Sequence, residues 1–174
     1  ACASHDGTAR HIEVVRTTLH DAGLEPVALG NTPDLPLERS SAHAVVAAGG
    51  SAESLLMNCS GKHAAMVATS QLNGWPIAEY LDQQHPVQLA ITERITELVG
   101  DVVHIGVDGC GAPAHVMSPL ALARAFGQLA AGRGPVWAAM IAHPDLVGGE
   151  RRDVTRLMRA VPELRAKDGA EGVF

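Results

Sequence analysis

Apolar residues recur at every third or fourth position through much of the chain, which is the spacing of one face of an α-helix. The clearest example is the segment 85–99. Its residues Val87, Ile91 and Ile95 fall on a single helical face. The same spacing predicts six further helices, over residues 8–22, 37–48, 60–73, 120–131, 136–143 and 154–160. A glycine follows several of these segments, as is usual just beyond the end of a helix.

Two short segments have the composition of β-strands instead. Residues 102–107 are rich in β-branched residues, and residues 163–167 are predicted to form a further strand. Stretches rich in glycine, proline or aspartate predict loops at 30–36, 108–113 and 144–150. Because strands and helices mix without a regular βαβ repeat, the chain is predicted to be one α/β or α+β domain with helices on a sheet.

The two ends of the chain also have the composition of strands. The sequence opens on Ala1 to His5 without a methionine and closes on Gly172 to Phe174. Both ends are typical of strands inside a domain. We therefore expect residues 1–174 to be a single-domain segment of a longer protein, truncated at both ends.

The composition mainly excludes certain partners and a membrane-spanning segment. Of the 174 residues, 47% are hydrophobic, which suffices for a core, whereas 18% are charged and 3% aromatic. A net charge of −6 argues against nucleic acid and anionic membranes as partners. No run of about 18 apolar residues occurs, so no membrane span is expected. Three widely spaced cysteines favour reduced thiols and a reducing, cytoplasmic location.

The small number of lysines indicates two candidate reactive side chains. Among 13 basic residues only Lys62 and Lys167 are lysines, and both lie beside glycines. A lysine amine can lose its proton when it is desolvated and then act as a base or a metal ligand, which arginine cannot do. The alternative is that both lysines are ordinary solvated side chains in a chain that otherwise favours arginine.

The first candidate site is the sequence from Asn58 to His63, which contains Cys59, Ser60 and Lys62 at a loop-to-helix junction. A thiol near a helix N-terminus has a lowered pKa, and the thiolate binds metals or attacks carbon. The structural alternative is that Cys59 simply packs at the start of a helix that Ser60 caps.

The second candidate site is Cys110, which two glycines flank in the predicted turn 108–113. Cys110 and Cys59 together could hold a soft metal such as Zn²⁺, with a third ligand from Lys62 or His63. Two single cysteines this far apart are a weaker zinc signal than paired CxxC motifs. The alternative is a buried free thiol in a turn after a strand.

The remaining candidates are one serine and one lysine near the two ends of the chain. Ser4 follows an apparent strand and precedes a helix, so it is either a reactive hydroxyl that needs a base or part of a helix cap. Lys167-Asp168-Gly169 resembles the Lys-x-Gly element of serine β-lactamases and penicillin-binding proteins, although this tripeptide pattern is common.

Taken in order along the chain, these motifs resemble those of the L-asparaginase II family, the rhizobial type of asparaginase. Each block alone is unremarkable, but the ordered set is specific and spans the whole segment. The blocks are Cys2-Ala3-Ser4-His5-x-Gly7, Asn58-Cys59-Ser60-Gly61-Lys62-His63-Ala64, Asp82-x-x-His85-Pro86-Val87-Gln88, Val107-Asp108-Gly109-Cys110-Gly111-Ala112-Pro113, Ala142-His143-Pro144 and Lys167-x-Gly169-Ala170-Glu171-Gly172.

The resemblance implies a fold similar to serine β-lactamases and glutaminases, with an antiparallel sheet and flanking helices. It implies a catalytic domain that hydrolyses the small molecule L-asparagine to L-aspartate and ammonia, and a homodimer. It also implies roles for individual residues. The zinc ligands are Cys59, Lys62 and Cys110; the residues near the metal are His63 and Asp108; and one catalytic Ser–Lys pair is Ser4 and Lys167.

The sequence departs from the family pattern at one point. The other Ser–Lys pair of the family, a Ser-x-x-Lys motif that is proposed to supply the nucleophile, would precede residue 1. The segment alone is therefore expected to be inactive or unstable. Two alternatives remain open: a glutaminase or β-lactamase-like amidase on the same fold, and a zinc-stabilised binding module without catalysis.

Overall fold

Helices dominate the chain in the computed structural model, which describes residues 4–169. In chain order, the helices are α1 (Ala9–Asp21), α2 (Arg39–Ala47), α3 (Ser60–Leu72), α4 (Pro86–Val99), α5 (Pro119–Gly132), α6 (Pro135–Ala142), α7 (Pro144–Val147) and α8 (Asp153–Ala160), with a short 3₁₀ helix at Pro26–Ala28. All seven predicted helices are confirmed to within a few residues at each end.

Local sequence explains where several helices begin. Helices α4 to α7 each start at a proline, whose fixed φ suits the first turn and whose missing N–H is not needed there. Ser118 caps α5, because its Oγ accepts a hydrogen bond from the Ala121 N–H at 3.1 Å. His85 caps α4 in the same way through its Nδ1, 3.2 Å from the Val87 N–H.

The sheet in the described part of the chain is a two-stranded antiparallel hairpin. Strand β1 (His104–Val107) pairs with β2 (Pro113–Val116), with Ile105 opposite His115. The tight turn between them is closed by a 2.8 Å hydrogen bond from the Asp108 N–H to the Ala112 carbonyl. Gly111 adopts a φ of +88° in this turn, a value that favours glycine.

The main core lies between α1 and α3. Val15 and Leu19 of α1 pack in one cluster with Ala64 and Val67 of α3, and all four side chains are buried. A smaller cluster joins α6, α7 and α8 through Met140, Val147 and Met158. The larger core therefore fixes the N-terminal end of α3, where the first candidate site lies.

Two sequence predictions of local structure are wrong. Residues 163–167 form no strand; instead the buried Arg165 places its guanidinium 4.6 Å from the centre of the Trp137 ring and donates a hydrogen bond to the Pro162 carbonyl. The loop predicted at 144–150 contains the short helix α7, and strand β2 was not predicted. No helix within residues 4–169 is long and apolar enough to cross a membrane.

Candidate metal centre

The N-terminal end of α3 supplies the first half of the site. Cys59 is the residue just before the helix, and Lys62 lies in its first turn. Cys59 is buried and Lys62 half-buried. Ser60 does not cap the helix, contrary to the sequence interpretation: it is the first helical residue, and its hydroxyl lies 3.1 Å from the Nε2 atom of His5. The hydroxyl of Ser60 therefore contacts His5, in the segment that carries Ser4.

The hairpin turn supplies the second half of the site. Cys110 is buried in the turn between β1 and β2. Thr32 holds this turn in place, since its N–H donates to the Cys110 carbonyl at 3.3 Å and its hydroxyl to the Gly109 carbonyl at 3.0 Å. The turn thereby faces the start of α3.

Four side chains meet where these halves face each other. The Sγ atoms of Cys59 and Cys110 and a carboxylate oxygen of Asp108 all lie within 4.8 Å of one another. The Nζ atom of Lys62 lies 3.2 Å from the Sγ of Cys110 and 3.3 Å from the Oδ2 of Asp108. The structure thus brings together two cysteines that are widely separated in sequence, together with the lysine and the aspartate that the resemblance placed beside them.

The two thiols differ in their affinity for a proton. A hydrogen bond from Cys110 lowers the pKa of Cys59 to about 6, and a hydrogen bond from the backbone of Ser4 contributes to this shift. The same interaction with Cys59, together with burial, raises the pKa of Cys110 to about 12. Of the two sulfurs, that of Cys59 therefore loses its proton more readily.

The charged groups around the thiols complement each other. Burial lowers the pKa of Lys62, but the charge of Cys59 and the hydrogen bond to Cys110 outweigh burial and raise the pKa above its ordinary value. Burial likewise raises the pKa of Asp108, but the hydrogen bond with Cys110 and the charge of Lys62 bring it below the ordinary value. One thiolate and one carboxylate against one ammonium leave the cluster with a net negative charge.

This set of donors suits a divalent metal ion in its chemistry. Thiolates are donors that soft cations prefer. The donor atoms of Cys59, Asp108 and Cys110 lie within 4.8 Å of one another. Cys59, Asp108 and Cys110 could therefore hold a metal ion.

His63 is the residue after Lys62 in the first turn of α3. Its ring is fully buried, and its Nδ1 atom lies 2.6 Å from the Tyr80 hydroxyl. Within residues 4–169 its Nε2 atom has no hydrogen-bond partner. The His63 ring also lowers the pKa of Cys110, against the larger upward effect of Cys59. The only side-chain hydrogen-bond partner of His63 among the described residues is thus Tyr80, and the role of His63 near a metal stays a prediction.

Ser4 occupies a strained backbone position beside Cys59. Its φ is +59°, which is uncommon for residues other than glycine and recurs at functional sites. The next residue anchors the turn, because the His5 N–H donates to the Asn58 carbonyl at 3.0 Å. Ser4 is buried, and the segment that carries it packs against the residues around Cys59.

Lys167 is paired with a carboxylate rather than with Ser4. Its Nζ atom donates to the backbone carbonyl of Asp168 and lies 3.3 Å from the Oδ1 of the same residue. Within the described residues no hydrogen bond joins Lys167 to Ser4. The charge of Lys167 nevertheless contributes, after burial and His11, to a fall in the pKa of His5 to about 3. Lys167 therefore lies near the Ser4 turn without bonding to it.

An arginine that the sequence did not single out joins the segment of Lys167 to the segment of Ser4. Arg152 forms ion pairs with Asp168 and with Asp6, the latter at 3.3 Å, and both carboxylates are buried. The short segment before α8 thereby ties the residue next to Lys167 to the turn that follows Ser4. Its position directly before a predicted helix gave no signal, because arginine is common throughout this chain.

Comparison with known proteins agrees with the motifs. A family described as L-asparaginase II matches the chain over residues 1–174. No curated protein matches the chain. The blocks that include residues 1–3 and 170–174 lie partly outside the described residues, so their structural context is known only for the portion within residues 4–169.

Proposed function

This chain belongs to the L-asparaginase II family, and on that basis we propose that it catalyses the hydrolysis of L-asparagine by water to L-aspartate and ammonia. The observation that carries the proposal is the convergence of Cys59, Asp108 and Cys110 within 4.8 Å, beside the turn that holds Ser4. A candidate metal site beside a serine in a strained backbone conformation suits amide hydrolysis. That reaction needs a nucleophile, a base and a group that stabilises the developing oxyanion.

We assign Cys59, Lys62 and Cys110 as the zinc ligands. Zinc, when bound, would position the substrate and polarise its amide carbonyl. Binding requires Lys62 and both thiols to be deprotonated, so affinity for the metal would rise with pH. The Oδ2 of Asp108 lies 3.3 Å from the Nζ of Lys62 and would orient that amine. Before the metal binds, this contact would also hold the side chains of the site together.

We assign Ser4 and Lys167 to proton transfer. Lys167, in its neutral form, would take the proton of the Ser4 hydroxyl while Ser4 takes the proton of the group that attacks the amide, and the same proton would later pass to the departing ammonia. The effect of the Lys167 charge on His5, the neighbour of Ser4, supports this proximity. The hydrogen bond to the Asp168 carbonyl holds the Lys167 amine in place, so the side chain would have to leave this carbonyl to bond to Ser4.

The fold that we propose for this chain is that of serine β-lactamases and glutaminases. The antiparallel hairpin with helices packed around it is compatible with one part of such a sheet. We propose that residues 1–174 belong to one catalytic domain, and that a second copy of the protein completes a homodimer. Electron density or cryo-EM maps of the protein from its full gene would test both statements.

The test of the activity is ammonia release by the protein expressed from its full gene. We expect release from L-asparagine to exceed release from L-glutamine and from a β-lactam. The variants S4A and K167A should lower kcat by roughly 10²–10⁴-fold, the usual contribution of a positioned acid or base. Matched controls are S118A and R94M, which change a helix cap and an exposed ion pair.

Thermal unfolding of each variant separates loss of chemistry from loss of folding. The proposal expects K167A to unfold near the wild-type temperature while its turnover collapses. Wild-type turnover in K167A would remove Lys167 from the mechanism. Equal hydrolysis of L-glutamine, or of the β-lactam alone, would replace the asparaginase assignment with one of the two other amidase classes.

A further inference from the structure

The loop that follows the short 3₁₀ helix lies between the two halves of the candidate metal site. Residues 30–34 of this loop bond on one side to the segment that leads to Cys59, and on the other side to the turn that carries Cys110. Because the loop contacts both segments, it sets how far apart they lie. The loop supplies none of the proposed metal ligands, and the proposed function assigns it no role.

Hydrogen bonds of side chains and of backbone join the loop to the segment before Cys59. The Asn31 side-chain amide donates to the Ser54 carbonyl at 2.8 Å, and the Ser54 hydroxyl donates to the Asn31 carbonyl at 2.6 Å. A little further on, the backbones of Asp34 and Glu53 pair through bonds of 3.3 and 3.2 Å. Asn31 is 2% exposed, so its bonds are shielded from water. This side of the loop is therefore fixed relative to the segment that leads to Cys59.

A further hydrogen bond ties the loop toward α3. The Gly30 N–H donates to the Tyr80 hydroxyl oxygen at 2.9 Å, and the same hydroxyl lies 2.6 Å from the Nδ1 of His63 in the first turn of α3. An added Cβ on Gly30 would lie 3.1 Å from the Tyr80 ring, so glycine allows this close approach. The loop is therefore also connected to the helix that begins directly after Cys59.

Thr32 is the residue through which the loop contacts the turn of Cys110. Its N–H donates to the Cys110 carbonyl at 3.3 Å, and its hydroxyl donates to the Gly109 carbonyl at 3.0 Å. Pro33 follows Thr32, and a residue before proline is restricted to extended backbone conformations. The β-branched side chain of threonine also has few rotamers. Thr32 therefore directs two donors at neighbouring carbonyls with little loss of conformational entropy.

We propose that Thr32 is a positioning residue that sets the separation between the sulfurs of Cys59 and Cys110. Asn31 anchors it on the Cys59 side. The carbonyls that Thr32 holds belong to Cys110 and to the residue before it, so a shift of Thr32 moves the Cys110 sulfur. In the structure the two sulfurs and a carboxylate oxygen of Asp108 lie within 4.8 Å of one another. The idea that this separation serves a metal ion rests on the proposed zinc site, whereas the separation itself does not.

The separation is tested without metal and without turnover, by disulfide formation in glutathione buffers. Two protein thiols and one oxidised glutathione give one protein disulfide and two reduced glutathiones, so the equilibrium constant is the effective concentration of one thiol beside the other. The metal-free protein from its full gene is used, and peptide mass spectrometry identifies the Cys59–Cys110 pair. We expect T32V, which lacks the hydroxyl, to lower this effective concentration by about 3–10-fold, the factor that one net hydrogen bond supplies.

Two further variants separate positioning from a general loss of stability. T32S keeps a hydroxyl and should retain the wild-type effective concentration. T96V removes another exposed bond between a hydroxyl and a carbonyl, which Thr96 donates to Thr92 at 2.8 Å in α4, and it should also match wild type.

Three results would overturn the role of Thr32. The first is a T32V variant with the wild-type effective concentration, and the second is an equal fall in T32V and in either T32S or T96V. The third is the absence of a Cys59–Cys110 disulfide in the wild type, because it would show that the two sulfurs do not approach each other.

Cobalt binding to the same proteins tests whether the separation serves a metal. We expect T32V to keep the wild-type cobalt absorption bands, because both thiols remain, and to bind cobalt more weakly by the same factor of about 3–10. The comparison variant C110S, which removes a thiol, should change the bands themselves. Unchanged cobalt affinity in T32V would contradict a role of Thr32 in metal binding.

The two measurements also distinguish this inference from the proposed function. Neither depends on hydrolysis of asparagine, so an inactive protein would refute the proposed function alone. A protein that binds no cobalt would refute the zinc site, and the glutathione equilibrium would still decide whether Thr32 positions the two sulfurs.

Discussion

The buried His5 makes the stability of this protein sensitive to mild acid. Its side chain is completely buried, with Nδ1 accepting from the Gly7 N–H at 3.0 Å and Nε2 3.1 Å from the Ser60 hydroxyl. The ring stacks on that of His11, with 4.8 Å between centroids. Burial, then the charge of His11, lowers the pKa of His5 from 6.5 to about 3. The folded protein therefore holds His5 neutral at any pH above about 3.

The size of the effect on the free energy of unfolding follows from the difference in the pKa of His5 between the folded and the unfolded chain. Between pH 6.5 and 3 the unfolded chain binds a proton at His5 that the folded chain does not bind, so stability rises with pH in this window and falls on acidification. Each pH unit below 6.5 costs about 1.4 kcal/mol. Lowering the pH from 7 to 5 should therefore cost about 2 kcal/mol from His5 alone, a large part of the 5–15 kcal/mol that holds a typical domain.

The measurement is urea unfolding of the reduced, metal-free protein at pH 7 and pH 5, followed by tryptophan fluorescence. The variant H5Q keeps an amide N–H for the Ser60 hydroxyl but has no group that titrates. We expect wild type to lose about 2 kcal/mol more than H5Q between the two pH values. The control H20Q changes a side chain that is 86% exposed and should follow wild type. The reasoning fails if H5Q and wild type lose the same free energy.

Three further substitutions test the packing around the site, each by the free energy of unfolding in urea. R152M should destabilise the protein by about 3 kcal/mol, because it leaves the buried carboxylate of Asp6 without its cation and that of Asp168 with Lys167 alone; a loss below about 1 kcal/mol would show that the pairs contribute little. G149A should cost about 1–3 kcal/mol, since the added Cβ would lie 1.7 Å from the Oδ2 of Asp6. G127A is its matched control in the middle of α5, where no atom lies within 4 Å of a new Cβ, and should stabilise the protein by about 0.5–1 kcal/mol. A G149A variant as stable as wild type would refute the contact with Asp6.

Local rules were sufficient for the helices. Periodic apolar residues, prolines at first turns and glycines beyond last turns act within a few positions, so the sequence alone contains that information. The segment 163–167 shows where such rules stop. Its composition suits a strand, but a strand needs a partner, and here the side chain of Arg165 finds Trp137 and the Pro162 carbonyl instead. Tertiary contact decided the conformation of this segment.

The candidate site was also predictable only in the part that depends on local sequence. Cys59 and Lys62 were recognisable as a pair, because they lie within one turn of the start of a predicted helix. Their approach to Cys110 depends on how the hairpin turn packs, which no spacing rule gives, and only the resemblance to a family implied it. Tyr80 carried no signal at all, since a single tyrosine reveals its role only when its hydroxyl is found between Gly30 and His63.

We propose that Cys59, Cys110 and Lys62 together hold one metal ion in an enzyme that hydrolyses L-asparagine. The most direct test is a zinc titration of the metal-free protein from its full gene, with bound zinc and ammonia release from L-asparagine measured on the same samples. The account predicts that release rises in proportion to bound zinc and stops rising at one ion per chain, and that C110S abolishes both. Full release from a sample without metal, or one bound zinc with no release at all, would contradict it.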